Sequence, residues 1–455
     1  MIRVQRIHFV GIGGSGMSGI AELLLSMKYQ VSGSDIKKSA VTDRLNALGA
    51  KIAIGHRAEN IGSADAVVVS SAVGRENPEV RSAYERGITV VARAEMLAEL
   101  MRMKYGIAIA GTHGKTTTTS LTAFVLSSGG LDPTVVIGGR LEQIGSGAKR
   151  GLGDYFVAEA DESDGSFLKL SPAVSVITNI DDDHLEHYGD MASLTTAFKE
   201  FANKVPFYGF GVLCKDDIRL SSIMTLSSRR MVSYGLSAGA DVQAENIEIV
   251  RDGSKYDLVY RGKKMGHVFL KIHGLHNVSN SLAASAVGLE LGIQPDKVIQ
   301  GLEAFKGVDR RLQFKGRSKK GWSVYDDYGH HPTEITATIA AAKTLLNDNR
   351  GRIVVIFQPH RYSRTSLLYD KFATALTAAD FIWLLPIYPA GEMPREGVTS
   401  ELIASSLKLK SYINFKVIED EPSPEIIAGE LNEGDIVITL GAGSITGLGD
   451  KLLKE

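Results

Sequence analysis

The chain has 455 residues, of which 44% are hydrophobic and 23% are charged. This length exceeds what one compact core usually holds and predicts about three domains. The 51 basic and 52 acidic residues nearly cancel, which argues against a nucleic-acid-binding or membrane-binding surface. The single cysteine, Cys214, excludes an internal disulfide framework, and no apolar run reaches the roughly 20 residues that span a bilayer. We therefore expect a cytoplasmic globular protein that binds neither nucleic acid nor membrane.

The first hundred residues alternate between strand and helix patterns. A short apolar strand, "RIHFV", precedes a glycine turn and an amphipathic helix, and "QVSGSD" and "ADAVVVSSAV" read as further strands. This alternation predicts a Rossmann-like parallel sheet. The turn "GIGGSG" matches the dinucleotide fingerprint, with Asp35 about 20 residues further on. The motif alone leaves three interpretations open, which are NAD, a diphosphate-linked sugar and a purely structural turn.

A second strand, glycine turn and helix begin at "IAIAGTHGKTTTTS", residues 107 to 120. Lys115 and Thr116 are typical of a phosphate loop that binds ATP, with the lysine on the β and γ phosphates and the hydroxyl on Mg²⁺. Only two residues separate Gly111 from Gly114, whereas the usual loop has four. Four consecutive threonines are poor helix formers, so we expect them to be kept for their hydroxyl groups. The alternative is a glycine turn with a solvated lysine.

Acidic residues end the next two predicted strands, in "EADESD" and "TNIDDDH". They comprise Glu159, Asp161, Glu162, Asp164, Asp181, Asp182 and Asp183, followed by His184. The carboxyl ends of parallel strands share one edge of a sheet, so this charge predicts bridging divalent cations beside ATP. Most of these side chains also suit helix N-caps. An imidazole favours manganese over magnesium, which leaves Mn²⁺ open beside Mg²⁺.

Between residues 231 and 273 the pattern changes to short alternating strands with an Asp252-Gly253 turn signal, which predicts a small antiparallel insert. A third α/β unit begins near "FKGVDRRLQ", with strands in "WSVYDD", "RIVVIF", "FIWLLPI" and "DIVITLGAG". The predicted fold is three α/β domains in series. They are a Rossmann-like N-terminal domain, a central P-loop ATPase domain with the insert, and a Rossmann-like C-terminal domain.

The third unit carries two polar clusters, each directly after a strand. "DDYGHHPTE" contains Tyr328 and His330, and "FQPHRYSR" contains Arg361 and Arg364. If a helix starts after Pro359, the two arginines lie three residues apart on one face and suit a carboxylate or phosphate. The alternative is ordinary surface arginines. A zinc site from His330, His331 and His360 is disfavoured, because adjacent histidines point apart and no cysteine is near.

Two smaller features allow structural interpretations. Asn277 and Asn280 in "HNVSNSLAA" open a predicted helix, where each suits an N-cap, although an asparagine amide can also pair with an adenine edge. Cys214 is expected to be a small core residue, since no base is near it in the sequence to stabilise a thiolate.

Six motifs in this order resemble those of the Mur ligases of peptidoglycan synthesis: "GTHGKTTTT", "EADESDGSFL", "TNIDDDHLEHYGD", "HNVSNSLAA", "DDYGHHPTEI" and "QPHRYSR". The resemblance spans nearly the whole chain. It implies a UDP-sugar domain (residues 1–103), an ATP-binding domain (104–307) and an amino-acid-binding domain (308–455). "PIYPAGEMPREGV" is most similar to the member that joins L-alanine to the lactyl carboxylate of UDP-N-acetylmuramate through an acyl phosphate. The implied substrates are thus UDP-N-acetylmuramate, L-alanine and ATP.

The resemblance also implies roles for individual residues. Catalytic roles fall to Lys115, Glu159, His184 and His330, and metal binding to Thr116, Glu159 and His184. ATP contacts fall to Gly111, Thr112, His113, Gly114, Lys115, Thr116, Thr117, Asn277, Asn280 and Arg310. The UDP-sugar would contact Gly13, Gly14, Ser15, Gly16, Asp35 and Ser70. L-Alanine would contact Tyr328, His330, Arg361 and Arg364.

Two other functions compete with this one. A sister ligase would use the same chemistry with another amino acid or with a recycled peptide. An NAD-dependent oxidoreductase or sensor would use the glycine fingerprint but has no need of the phosphate loop. Some Mur ligases carry a modified lysine near the metals, but we expect Lys199 to be an ordinary helix lysine. A monomer or weak homodimer is expected.

Overall fold

The computed structural model describes residues 4–70, 72–141, 146–346, 351–420 and 423–455. The proximity of Cα atoms divides the chain into two compact units. The first comprises residues 1–246, 256–268 and 279–306, and the second comprises residues 247–255, 269–278 and 307–455. None of the described helices combines the length and the hydropathy that crossing a bilayer requires.

The first sheet confirms the predicted Rossmann-like topology. It is a five-stranded parallel sheet in the order β3-β2-β1-β4-β5. Its strands are β1 (Arg6–Val10), β2 (Gln30–Asp35), β3 (Lys51–Ile54), β4 (Ala66–Val69) and β5 (Thr89–Ala92). Its helices are α1 (Ser15–Ser26), α2 (Ala40–Ala47), α3 (Pro78–Glu85) and α4 (Arg93–Met101). The central strand β1 is buried from Ile7 to Val10 and its neighbour β4 from Ala66 to Val68, as is typical of strands covered by helices on both sides.

A buried carboxylate lies next to the glycine turn of this sheet. Glu79, on α3, is fully buried, and its oxygens accept hydrogen bonds from Ser34 Oγ (2.5 Å) and Asn60 Nδ2 (2.5 Å), with His8 Nε2 at 3.2 Å. Burial alone would raise the pKa of Glu79, but these hydrogen bonds lower it to about 2. The carbonyl of Ser34 accepts from the Gly11 and Ile12 N–H groups, so Glu79 helps to fix the turn.

We expect Glu79→Ala to destabilise the protein by about 2–4 kcal/mol, because it leaves several buried donors without an acceptor. Since the folded-state pKa is depressed, this stabilisation is complete at neutral pH and is lost only as pH falls from about 4.5 towards 2. Calorimetry at pH 7 measures the effect. Glu85→Gln on the exposed face of the same helix is the matched control; equal Tm shifts for the two variants would contradict the assignment.

The second sheet has ten strands, in the order β15-β14-β13-β12-β11-β10-β6-β9-β7-β8. Its strands are β6 (Tyr105–Ala110), β7 (Thr134–Leu141), β8 (Ser146–Lys149), β9 (Tyr155–Glu159), β10 (Val174–Ile177), β11 (Phe210–Cys214), β12 (Met231–Gly235), β13 (Val242–Val250), β14 (Gly253–Tyr260) and β15 (Lys263–Leu270). Helices α5 (Lys115–Ser128), α6 (Leu185–Tyr188), α7 (Met191–Asn203), α8 (Ile218–Leu226), α9 (Leu275–Glu290) and α10 (Pro295–Ala304) accompany it. The strands β7, β9, β6, β10, β11 and β12 run parallel.

The predicted insert corresponds to β13, β14 and β15. Two-residue connections at 251–252 and 261–262 join these strands, and such short links join only antiparallel neighbours. Asp257 on β14 accepts from Asn246 Nδ2 on β13 at 2.9 Å and pairs with Lys264 Nζ on β15 at 2.7 Å. The predicted hairpin is therefore present, but its turn residues are Arg251 and Asp252, one residue earlier than the Asp252-Gly253 signal, and Gly253 is the first residue of β14.

The third sheet has six strands, in the order β16-β17-β21-β18-β19-β20. Its strands are β16 (Gln313–Arg317), β17 (Ser323–Asp327), β18 (Ile353–Phe357), β19 (Phe381–Leu384), β20 (Phe415–Val417) and β21 (Ile436–Leu440). Its helices are α11 (Pro332–Lys343), α12 (Tyr362–Leu376), α13 (Glu401–Leu409), α14 (Pro424–Ala428) and α15 (Leu448–Leu452). Only the edge strand β16 pairs antiparallel. Helices α11, α12 and α13 supply the core on one face, and α14 and α15 supply it on the other.

Candidate active site

The phosphate loop connects β6 to α5, and its two glycines are required by crowding. Gly111 has φ 128° and Gly114 has φ 82°. A Cβ atom built on Gly111 would lie 2.0 Å from Thr178 Oγ1, and one on Gly114 would lie 2.6 Å from Asn280 Oδ1. The shortened loop is thus wrapped tightly by neighbouring elements, and no larger residue fits at either position without displacing them.

Asn179, the second residue after β10, holds this loop in place. Its Oδ1 accepts from His113 N at 2.9 Å, its Nδ2 donates to the His113 carbonyl at 3.1 Å, and its carbonyl accepts from Thr112 N at 3.1 Å. The His113 ring contacts the Asp181 carboxylate at 2.9 Å. Sequence reasoning noted the acidic residues of this segment and overlooked Asn179, although its place at a strand end was the available signal.

Lys115 begins α5 and turns its ammonium back over the loop. Its Nζ donates to the Gly111 carbonyl at 2.7 Å and to Glu162 Oε1 at 2.8 Å. Burial raises the pKa of Glu162 to about 7, although the Lys115 charge opposes that rise. Burial alone would lower the pKa of Lys115, but the charges of Glu162 and Asp161 raise it. The ammonium therefore stays charged at neutral pH, ready for a phosphate oxygen.

The four consecutive threonines, residues 116 to 119, do not all have the same role. The expectation that all four are kept for their hydroxyl groups is therefore wrong. Thr116 at the start of α5 is partly exposed. Thr118 and Thr119 are fully buried, and their hydroxyls have no hydrogen-bond partner among the described residues. Their methyl groups fill space in the core under α5, and packing has outweighed helix propensity. The hydroxyl role can belong only to Thr116 and Thr117, at the loop-to-helix junction.

The acidic strand ends lie at the same edge as the loop, because β6, β9 and β10 are adjacent and parallel. Glu159 ends β9 and accepts from Gly138 N at 2.9 Å. His184 has φ 59° and places Nε2 3.8 Å from Glu162 Oε1. Some neighbouring carboxylates have local structural partners: Asp164 accepts from Ser166 N, and Asp183 accepts from His184 N. These two carboxylates therefore have local structural roles, and the bridging of divalent cations by the other acids stays a prediction.

The predicted donor set at this edge consists of ligand types that bind divalent cations. It offers the hydroxyl of Thr116, the carboxylate of Glu159 and the imidazole of His184, all within the first compact unit. Glu162 Oε2 is buried and has no hydrogen-bond partner in the described part of the chain. An unsatisfied carboxylate oxygen in a cluster of acids is costly unless positive charge comes close to it.

A cleft of about 320 Å³ joins the phosphate loop to the glycine turn of the first sheet. Gly14, Gly16 and Ser70 line one side of the cleft. Lys115, Gly138, Glu159 and Asp161 line the other side, and Arg93, Met17, Leu97, Val136 and Ile137 complete the wall. Gly14 and Glu159 line the same cleft, although they are about 145 positions apart in the sequence. The structure therefore brings these two predicted residues together. Arg93 was not predicted, although it directly follows β5.

The remaining fingerprint residues support the turn itself. Asp35 Oδ2 accepts from Gly13 N at 2.8 Å, and a Cβ atom on Gly13 would lie at the same distance from that oxygen. Ser15 begins α1, and its side chain lies outside what the structure describes. The first turn of α1 therefore presents backbone N–H groups and the positive end of the helix dipole to the cleft.

Asn277 and Asn280 lie inside α9, which begins at Leu275, so neither is its N-cap. Asn280 is buried in the first compact unit, with its amide against Gly114 of the phosphate loop. Asn277 belongs to the second unit and donates through Nδ2 to the His273 carbonyl at 2.8 Å. The N-capping interpretation is wrong for both residues.

In the second unit an aromatic cluster surrounds the predicted amino-acid site. The Tyr328 and His330 rings meet edge to face at 5.2 Å, His330 lies 5.8 Å from the His360 ring, and Tyr388 stacks on His360 at 5.6 Å. His330 Nδ1 lies 3.1 Å from the Tyr328 carbonyl, which favours the tautomer with the proton on Nδ1. His331 points away from this cluster, since it is buried and caps α11, as expected of adjacent histidines.

The two arginines of the second unit adjoin the same cluster but differ from the expected helix geometry. Helix α12 begins at Tyr362, and Arg361 precedes it with φ 72°, so the pair does not lie on one helical face. Arg364 is buried, with Nη1 3.5 Å from His360 Nδ1. Arg361 Nε is also buried and lacks a hydrogen-bond partner within the described ranges. An arginine with a buried, unused donor atom suits an anionic ligand.

Three other predicted residues have clear surroundings. Arg310, with φ 61°, donates to buried Asp326 at 3.1 Å and covers the Tyr328 ring at 4.9 Å. Lys199 is exposed on α7, as expected of an ordinary helix lysine. Cys214 is buried, which confirms a core position, and burial raises the pKa of its thiol.

Comparisons with known proteins agree over the whole length. Residues 6–105 match the Mur ligase family catalytic domain, residues 109–288 the Mur ligase middle domain, and residues 310–443 the Mur ligase glutamate ligase domain. The chain is 53% identical to the UDP-N-acetylmuramate–L-alanine ligase of Desulfatibacillum aliphaticivorans, covering 99% of this chain and 98% of that protein. It is 51% identical to the enzyme of the same name from Geobacter sulfurreducens, covering 100% and 98%.

Solved structures give the same result. The UDP-N-acetylmuramate–alanine ligase of Thermotoga maritima superposes with a TM-score of 0.83 at 30% identity, covering 99% of this chain and 98% of that one. A murein peptide ligase from Psychrobacter arcticus superposes with a TM-score of 0.73 at 26% identity over the same shares.

Proposed function

The chain belongs to the Mur ligase family, and from this premise we propose that it is an ATP-dependent ligase joining L-alanine to the lactyl carboxylate of UDP-N-acetylmuramate in peptidoglycan precursor synthesis. The observation that carries the proposal is the shared cleft. The glycine turn, which is suited to a nucleotide diphosphate, and the lysine of the phosphate loop both line this cleft. A sugar-linked carboxylate and the γ-phosphate of ATP can meet there, as formation of an acyl phosphate requires.

In the first step a carboxylate oxygen attacks the γ-phosphorus, the bond to the β-phosphate bridging oxygen breaks, and ADP leaves with its electron pair. Two anions must approach each other, so the barrier depends on positive charge placed in advance. Lys115 supplies it at the loop, where Asn179 holds the backbone in place. Thr116, Glu159 and His184 would hold Mg²⁺, with Mn²⁺ as an alternative, and the bound ion would supply further charge neutralisation.

In the second step the L-alanine amine attacks the activated carbonyl carbon, an amide bond forms and inorganic phosphate leaves. Arg361 and Arg364 would bind the L-alanine carboxylate, because Arg361 has an unused buried Nε donor and Arg364 is itself buried. His330 would accept the amine proton through Nε2, since its Nδ1 faces the Tyr328 carbonyl.

Each of the three sheets lies in a region with its own proposed ligand. Residues 1–103 would bind the UDP-sugar, with Ser70 and the Gly13–Gly16 turn, and residues 104–307 would bind ATP, with Asn280 behind the loop. Residues 308–455 would bind the amino acid, with Arg310 contacting the nucleotide. A cytoplasmic location is supported by the single cysteine, which suits a reducing compartment.

An amino-acid panel tests this proposal. With ATP, Mg²⁺ and UDP-N-acetylmuramate, we expect ADP release to require L-alanine and to be at least about tenfold slower with glycine, L-serine or D-glutamate. A tripeptide of the murein type also belongs in the panel, because a murein peptide ligase shares the fold. Tripeptide-dependent turnover without alanine-dependent turnover would overturn the choice of substrate. Tight NADH binding without UDP-sugar binding would instead favour an oxidoreductase or sensor.

A further inference from the structure

The cleft contains a cation that the mechanism above does not use. Arg93 directly follows β5 and is the first residue of α4. Its Nη1 would lie 2.8 Å from a Cβ atom on Gly16, in the first turn of α1. Its Nη2 donates to Asp161 Oδ2 at 3.0 Å. One guanidinium group therefore connects the glycine turn to the acidic segment beside Lys115.

Helix stability does not account for an arginine at this position. The first turn of a helix carries the positive end of its dipole, which repels a cation. The capping of α4 is performed by Glu95, whose Oε2 accepts from Ala92 N at 3.2 Å. Arg93 therefore occupies an electrostatically unfavourable place in its own helix, which indicates that its charge serves something else in the cleft.

The ion pair with Asp161 is one that an incoming anion can displace. The side chain of Arg93 is 20% exposed and that of Asp161 is 40% exposed, and partly solvated pairs of this kind contribute little stability. Asp161 also keeps other partners, because its Oδ1 accepts from Ser163 N at 3.1 Å and from Ser163 Oγ at 2.7 Å. Loss of the guanidinium would leave the carboxylate hydrogen-bonded.

We propose that Arg93 binds an oxyanion of the UDP-sugar, either its diphosphate or its lactyl carboxylate, after exchanging Asp161 for that ligand. The inference rests on the proposed function, since it assumes that this sugar nucleotide occupies the cleft. A planar guanidinium can hold either anion through two parallel hydrogen bonds. Arg93 would thus be a substrate-binding residue contributed by α4.

Calorimetric titration of the full-length protein with UDP-N-acetylmuramate, without ATP, tests the proposal. We expect Arg93→Ala to weaken binding at least about tenfold. Arg93→Lys keeps the positive charge but loses the planar guanidinium group. The affinity of this variant should therefore lie between those of the wild-type protein and Arg93→Ala. Arg6→Ala is the matched control, because Arg6 forms an ion pair with Asp65 at the opposite end of β1 and should bind normally.

Two further arms sharpen the result. UDP-N-acetylglucosamine has the diphosphate but lacks the lactyl carboxylate. Weakened binding of both ligands by Arg93→Ala assigns the contact to the diphosphate, and weakened binding of UDP-N-acetylmuramate alone assigns it to the carboxylate. Asp161→Asn removes the ion pair but keeps the guanidinium; if it weakens binding as much as Arg93→Ala, Arg93 only holds Asp161 and the proposal is wrong.

The role of Arg93 and the proposed function of the protein can be contradicted by different results. Unchanged affinity in a folded Arg93→Ala protein overturns the role of Arg93 and leaves the proposed function intact. Absence of UDP-sugar binding by the wild-type protein overturns both. A melting curve of each variant separates loss of binding from loss of folding, and Arg93→Lys retains the aliphatic stem if Arg93→Ala proves unstable.

Discussion

Lys115→Ala is expected to reduce the rate of ADP release by about a thousandfold or more. The substitution removes the ammonium that we propose faces the transferred phosphoryl group, and single preorganised charges in such sites contribute about this much. The fold should survive, because burial raises the pKa of Glu162 to about 7 and this carboxyl group can take up a proton once its partner is gone. Steady-state ADP release and a melting curve measure the two effects.

A matched control distinguishes the loss of the charge at Lys115 from the loss of any one positive charge on the protein. Lys199 is an exposed lysine on α7 of the same compact unit, and Lys199→Ala should keep normal rates. Turnover of Lys115→Ala within about tenfold of the wild-type value would remove Lys115 from the catalytic machinery. The loop would then bind nucleotide through its backbone alone.

Arg361→Ala and Arg364→Ala should each raise the apparent KM for L-alanine by about ten- to a hundredfold, since each removes a charged donor from a carboxylate. The KM values for ATP and UDP-N-acetylmuramate should not change. Arg361→Lys keeps the charge but removes the buried Nε donor, so we expect it to be intermediate. Steady-state kinetics with each substrate varied in turn provides the measurement.

The exposed Arg317 on the edge strand β16 is the control for this pair, because it carries the same charge in the same compact unit. Arg317→Ala should leave all three KM values at the wild-type level. An unchanged KM for L-alanine in both Arg361→Ala and Arg364→Ala would move the carboxylate site elsewhere in the chain.

Features set by neighbouring residues were predictable from the sequence. The strands "RIHFV" and "QVSGSD" were predicted with the bounds of β1 and β2, because apolar runs ending in glycine or aspartate are local signals. The common edge of the acidic segments followed from parallel-sheet topology. Both kinds of inference need only the order of the elements along the chain.

Features set by contacts between distant elements were not predictable. Sequence alone gave no reason to pair Lys115 with Glu162, 47 positions away, in preference to the other acids of that segment. It also assigned Thr118 and Thr119 to chemistry, whereas the packing of α5 buries both. Arg93 was overlooked because its significance depends on Gly16 and Asp161, which only the fold brings to it.

The crowding around the phosphate loop bears on how this enzyme could escape an inhibitor. Thr178 and Asn280 already occupy the space that a side chain at Gly111 or Gly114 would need. A point mutation there that excluded an inhibitor would also distort the backbone of the phosphate loop. A compound seated against these two glycines would therefore meet a surface with few routes to resistance.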